Sequence, residues 1–210
     1  MADAGVAGMS TPAGKLAQTV DGVLEVIRHR WSPRAFLDKP VPKETLRALL
    51  EAARWAASSF NEQPWRFLVA TKDNPADFDK MLSVLLPRNQ EWAKAAPVLL
   101  LTLGKKNFSH NNTPNRYALH DAGAALAMLA IQAAGMGLQV HGMGGFDHDK
   151  ARTVLKIPHD YELGAAVALG YPGPAEMVPE AFRAAELAPR TRKPLSEVAH
   201  PATFGEPLAL

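Results

Sequence analysis

The chain has 210 residues, 23 Lys+Arg against 21 Asp+Glu for a formal net charge of +2, 47% hydrophobic residues and no cysteine. An apolar fraction this high with so little net charge excludes a mainly disordered chain, and the missing thiols exclude a disulfide scaffold, a thiolate metal site and a cysteine nucleophile. A total of +2 is also too weak to point to nucleic acid.

Residues 1–18 are small and polar, with no basic segment leading into an apolar one, and are expected to be a flexible tail rather than a secretory signal. One domain is expected over 19–198, followed by a C-terminal tail at 199–210. Asp21 to Arg30 has helical apolar spacing and stops before Pro33, which holds Ser32 extended. Lys43 to Ala57 is a helix whose Leu46, Leu49, Leu50, Ala53 and Ala57 share one face. After a polar loop, Arg66 to Thr71 is a short strand, Pro75 to Leu86 a helix and Trp92 to Ala96 a further turn. Val98 to Leu103 is apolar at nearly every position, which predicts a strand buried on both faces. Residues 104–116 are a polar loop and a candidate lid. A long helix follows from about Pro114 to Ala134, ended by Gly135 and Gly137. Its His120, Asp121 and Gln132 argue against a membrane span. Leu138 to His141 is a strand leading into Gly142-Met143-Gly144-Gly145, Asp147 caps a helix to Leu155, and Leu163 to Tyr171 is the last strand before a proline-rich stretch. Helices and strands mix without regular βαβ units, so the fold class is α+β. A cytoplasmic location is the default expectation where no cysteine reports a redox compartment.

Three segments carry chemistry. Arg28-His29-Arg30-Trp31-Ser32-Pro33-Arg34 places three guanidinium groups within seven residues. They complement a helix C-terminus, or they form an anion site in which Arg forks and a Ser hydroxyl bind phosphate. Arg190-Thr191-Arg192-Lys193 is a second cluster of that kind, or a solvated basic turn. Ser58 to Trp65 is dense in hydroxyl and amide groups between aromatics, which suits a planar heteroaromatic ligand as well as plain turn chemistry. The run Gly142 to Gly145 lacks a dinucleotide fingerprint, because Asp147 stands where the sixth-position glycine belongs. What it offers is backbone that a flat ligand can approach. There is no G-x-S-x-G elbow, no Walker loop, no H-E-x-x-H, and the histidines show no metal spacing. Phosphate-binding candidates without acid–base machinery suggest a cofactor that does the chemistry.

Taken together and in order, these segments resemble the FMN-dependent nitroreductase family over about residues 22–198. Arg30-Trp31-Ser32-Pro33-Arg34-Ala35-Phe36 resembles its R-x-S-x-[RK]-x-[FY] segment, and Ala57-Ser58-Ser59-Phe60-Asn61-Glu62-Gln63-Pro64-Trp65 its P-S-S-x-N-x-Q-P-W segment. Asp121 through Gly145-Phe146-Asp147 resembles the helix, strand and glycine turn before its G-F-D, and Arg190-Thr191-Arg192 the late basic pair. The resemblance implies a nitroreductase-like fold, a central mainly antiparallel sheet flanked by helices, in an intertwined homodimer with two shared sites. It implies FMN as cofactor, NADH or NADPH as donor, and two-electron ping-pong transfer to a nitroaromatic, quinone or similar small-molecule acceptor. No metal, membrane or nucleic acid is expected to take part. Arg30, Ser32, Arg190 and Arg192 would hold the FMN phosphate, with Trp31 contacting the phosphate or ribityl region largely through its backbone. Arg34 would face the flavin N1 and O2 edge, and Asn89 the pyrimidine edge. Ala57, Ser58, Ser59 and Asn61 would reach the neighbouring subunit's flavin, while Gly142, Met143, Gly144 and Gly145 pass over the ring. The same platform also serves dehalogenation, enone reduction or dehydrogenation, and a non-catalytic flavin or tetrapyrrole module. Three positions depart from the family pattern: Ala57 for proline, Trp31 for a smaller polar or basic residue, and Gly144 where an acidic residue is frequent.

Overall fold

The computed structural model describes residues 11–206 and 208. Four strands, β1 (Trp65–Thr71), β2 (Val98–Lys105), β3 (Gln139–Met143) and β4 (Tyr161–Gly170), form one sheet in the order β1-β2-β4-β3, antiparallel at every pairing. The α+β class is therefore as expected. Side chains alternate across a strand, so Leu99, Leu101 and Leu103 of β2 enter one core with Phe36, Phe78 and Trp92. Val98 and Leu100 enter the other with Leu49, Leu129 and Val167. Both faces are covered, which explains the unbroken apolar run.

Seven α-helices complete the described chain: α1 (Glu25–His29), α2 (Lys43–Arg54), α3 (Pro75–Ser83), α4 (Pro87–Ala93), α5 (Ala118–Gly135), α6 (His148–Val154) and α7 (Glu180–Leu187). The central helix α5 shares the second core with α2 through Ala122, Ala125, Leu129 and Ala133. Its small residues permit close approach: a Cβ built on Gly104 of β2 would lie 2.8 Å from the Ala118 carbonyl oxygen. The opposite flank of α5 stays open, with Leu119 and Met128 more than 40% exposed. No helix among the described residues is long and apolar enough to cross a membrane.

The differences from expectation have local causes. α1 begins at Glu25 rather than Asp21, because Gly22 takes a left-handed conformation (φ +88°) that breaks the helix. α2 ends at Arg54 and α3 at Ser83, short of the apolar periodicity that continues past each. α4 starts at Pro87, where proline fits the first helical turn. α5 starts four residues later than expected, since Asn107 bridges back to Pro114. α7 was hidden by the surrounding prolines, although Phe182 and Glu186 mark one buried face at helical spacing. Of the expected N-terminal tail, residues 1–10 lie outside the described residues. Residues 11–17 lie on the domain: Thr11 donates to the His29 carbonyl at 3.1 Å, the Ala17 N–H to that of Arg28 at 3.0 Å, and Lys15 is buried.

Candidate functional site: an arginine-lined cavity beside an apolar groove

The segment Arg30 to Ala35 leaves α1 in extended conformation and is fixed by three side chains from elsewhere in the chain. Gln139 of β3 accepts from the Trp31 N–H at 2.9 Å and donates to the His29 carbonyl at 3.1 Å. His141, two residues on along the same face of β3, lies 2.9 Å through Nδ1 from the Pro33 carbonyl oxygen. A carbonyl only accepts, so Nδ1 carries the proton. Glu186 of α7, buried, accepts the Arg34 N–H on both oxygens at 3.0 Å and the Ala35 N–H at 3.1 Å. The loop is thereby registered against both β3 and α7.

That registration brings Arg30, Ser32, Arg190 and Arg192 to one cavity of about 220 Å³, together with Lys15 and Trp31. The expected convergence of distant arginines is present. None of these cations forms an ion pair among the described residues. Burial, and then the Arg192 charge, lowers the pKa of Arg30; burial and then Arg30 and Arg192 lower that of Arg190. Cations gathered against their own repulsion, with no carboxylate among the described residues that line the cavity, suit an anion. Arg190 Nη1 donates to the Lys15 and Arg28 carbonyls, both at 2.9 Å, which aims the rest of its fork. Arg30 Nη1 lies 3.5 Å from Ser32 Oγ.

Arg30 and Ser32 also border a second, apolar groove of about 410 Å³ lined by Ile27, Leu126, Ala130, Ile131, Val140 and Gly142. Val140 and Gly142 lie on the face of β3 opposite Gln139 and His141. Positions where a Cβ would stand on Gly142 and Gly144 are open, with no atom within 4 Å. Met143 is buried in the core, so it can offer a ligand only backbone. Asn89 packs on Gly145 and donates to its carbonyl at 2.9 Å; a Cβ there would lie 2.6 Å from Asn89 Nδ2. The Arg34 guanidinium lies over the Trp92 and Phe182 rings at 5.9 and 6.0 Å, with no carboxylate partner among the described residues.

The segment Ala57 to Asn61 stands apart from this cavity. The Ser59 N–H donates to buried Asp121 of α5 at 3.0 Å, and the Gln63 N–H to Ser58 Oγ at 3.0 Å. Phe60, Asn61 and Gln63 all have φ near +53°, a conformation costing roughly 1 kcal/mol or more each for a residue with a side chain. Phe60 is 82% exposed, with one edge on Phe108. Glu62 ties this loop to Ser109, accepting from both its N–H and its hydroxyl. The strained loop and the 104–116 loop therefore present one exposed edge, which does not line the cavity of Arg30, Arg190 and Arg192. The Trp31 backbone N–H is taken by Gln139, and Trp31 borders the cavity. Lys15, Gln139, His141 and Glu186 were not visible as site residues in the sequence.

His141 yields a pH prediction. Burial against the Trp92 ring (4.6 Å between centroids) holds its pKa down to about 4, from an ordinary 6.5. The unfolded chain therefore binds this proton more readily, and the contribution to stability is complete above pH 6.5 and lost as pH falls toward 4. The loss is at most about 3 kcal/mol. His141→Asn should flatten that part of the stability profile, measured by urea unfolding at pH 7, 5.5 and 4.5. Parallel profiles for the two proteins would refute the assignment.

The donor set fits FMN: guanidinium forks and a hydroxyl free of carboxylates for a phosphate, then an open glycine-floored groove for a flat ring. An oxidoreductase containing FMN superposes with a TM-score of 0.84 at 38% identity, over 90% of this chain and 96% of its own. A protein from Desulfovibrio desulfuricans solved in complex with FMN superposes with a TM-score of 0.68 at 28% identity, over 89% and 99%. A Thermus thermophilus protein named NADH dehydrogenase is 29% identical over 174 residues, 68% of this chain and 83% of the relative. The profile of the nitroreductase family matches residues 27–171, from the end of α1 through β4, and the chain belongs to that family.

Proposed function

We propose that this chain is an FMN-dependent oxidoreductase that takes electrons from NADH or NADPH and reduces an electron-poor acceptor such as a nitroaromatic or a quinone. The observation that carries the reading is the cavity of unpaired arginines opening, through Arg30 and Ser32, onto the groove floored by Gly142. Arg30, Ser32, Arg190 and Arg192 would hold the phosphate, and Asn89 and the Gly142–Gly145 backbone the ring. FMN, when bound, supplies the two-electron redox chemistry for which the side chains here have no machinery of their own. Arg34 sits among aromatic rings. It would offer a fixed positive charge to the N1 and O2 edge, where negative charge develops on reduction.

The same geometry supports a homodimer. The open flank of α5 adjoins the groove, and the strained Ser58–Gln63 loop, set away from its own cavity, would reach a partner's. Mass in solution tests this, with a dimer expected.

Arg34→Ala should slow reduction by NAD(P)H at least tenfold while FMN affinity changes only a few-fold. Anaerobic stopped-flow at the flavin absorbance band measures the first and a fluorescence titration the second. Unchanged reduction with FMN bound would remove the role given to Arg34. The whole reading is tested by the visible spectrum of the purified protein and its response to each nicotinamide without oxygen. A yellow protein bleached by NADH or NADPH and restored by a quinone is expected. A protein that binds no FMN, or binds it and is reduced by neither nicotinamide, would overturn the reading.

A further inference from the structure

We propose that Lys15, carried on the N-terminal segment outside the family's matched region, is a fourth cationic ligand of the cofactor phosphate, and that residues 11–17 strap the phosphate cavity closed. The proposal rests on the FMN reading above. Lys15 is 7% exposed, unusually deep for a lysine with no ion-pair partner among the described residues. Its ammonium lies 5.3 Å from the centre of the Trp31 ring, donates to the Ala188 carbonyl, and borders the cavity shared by Arg30, Arg190 and Arg192. An ammonium has three donors, and the described structure uses one.

A second observation comes from Trp31. Its indole Nε1 is buried without a hydrogen-bond partner, and the residue borders the same cavity. A buried N–H left unmatched is destabilising, and an anion acceptor in the cavity would match it. The strap also joins the two sequence-distant halves of the site. Thr11 and Ala17 bond to the carbonyls of His29 and Arg28 on one side; the Lys15 carbonyl and ammonium bond Arg190 and Ala188 on the other. The charges facing Lys15 are Arg34, Arg190 and Glu186, and burial lowers its pKa most of all. A dianionic phosphate placed there would offset that burial.

The test is a pair of titrations on the full-length apoprotein, with FMN and with riboflavin, which has the same ring and no phosphate. Lys15→Gln is expected to weaken FMN about tenfold and leave riboflavin within twofold, so that discrimination between them falls about tenfold. Lys15→Arg should restore most of that discrimination, and FMN release after dilution should be faster for Lys15→Gln than for wild type. An equal loss for both flavins would mean that Lys15 only supports the fold and would overturn the proposal, as would unchanged FMN affinity. Wild-type protein that discriminates FMN from riboflavin would uphold the FMN reading in either case. Wild-type protein that binds neither would overturn both.

Discussion

Replacing Arg30 and Arg192 together by alanine should raise the Kd for FMN by 100-fold or more while leaving the apoprotein as stable as wild type, or slightly more so. A charge-assisted hydrogen bond to phosphate contributes about 1.5–3 kcal/mol, so each arginine accounts for roughly ten- to a hundredfold in affinity. The apoprotein does not suffer, because neither side chain forms an ion pair among the described residues and each lies in the other's repulsive field. Among the described residues Arg192 donates only to the carbonyl of its neighbour Thr191. Most stabilising residues would behave in the opposite sense, with fold and ligand lost together. Fluorescence titration and thermal unfolding of the same apoprotein sample separate the two cases. Riboflavin affinity should hardly move, and wild-type FMN affinity should fall with added salt more steeply than that of the variant. A double variant that still binds FMN within a few-fold of wild type would place the phosphate elsewhere.

The two arginine clusters and the strand β2 were legible in the sequence because each is written in consecutive residues. Guanidinium and hydroxyl groups crowded at Arg30 to Arg34 and Arg190 to Arg192 have few uses, and an apolar run such as Val98 to Leu103 can only be covered on both sides. α2 was legible because its period is its own. What organises the site was not legible, for the opposite reason. Gln139, His141 and Glu186 are single polar residues whose partners are backbone groups more than a hundred positions away. An amide N–H or a carbonyl has no signature in a sequence, so the side chain that meets it looks like any other. His141 sat in a plain strand, and Glu186 in a stretch dominated by its prolines. Lys15 followed a stretch rich in Ala and Gly that suggested a tail, and its position between Trp31 and Ala188 gives it a use. The register of the site is thus set by tertiary pairings, while its chemistry is set by local composition.

Glu186 gives the second large effect. Glu186→Ala should destabilise the fold by about 3–5 kcal/mol, because it leaves the Arg34 and Ala35 N–H groups buried without an acceptor and removes the negative charge nearest Lys15. For a chain of this size that corresponds to a fall of roughly 10 °C in Tm. FMN affinity should fall with it, since α7 carries Arg190 and Arg192 on its C-terminal side and Glu186 is the contact that seats α7 on the Arg30–Ala35 loop. Glu186→Gln separates position from charge. Its remaining oxygen can take the place that accepts both amides, while its NH2 group meets the Arg34 N–H donor to donor. A loss of about 1–2 kcal/mol is therefore expected, smaller than for alanine. FMN affinity should stay within a few-fold of wild type, because the glutamine oxygen still holds the Arg34 and Ala35 N–H groups and so keeps α7 seated on the loop. The measurements are urea unfolding and FMN titration of the three proteins at one pH. If the glutamine variant bound FMN as poorly as the alanine variant at equal folded fraction, the carboxylate would be acting through its charge, and the role of seating α7 on the loop would have to be given up.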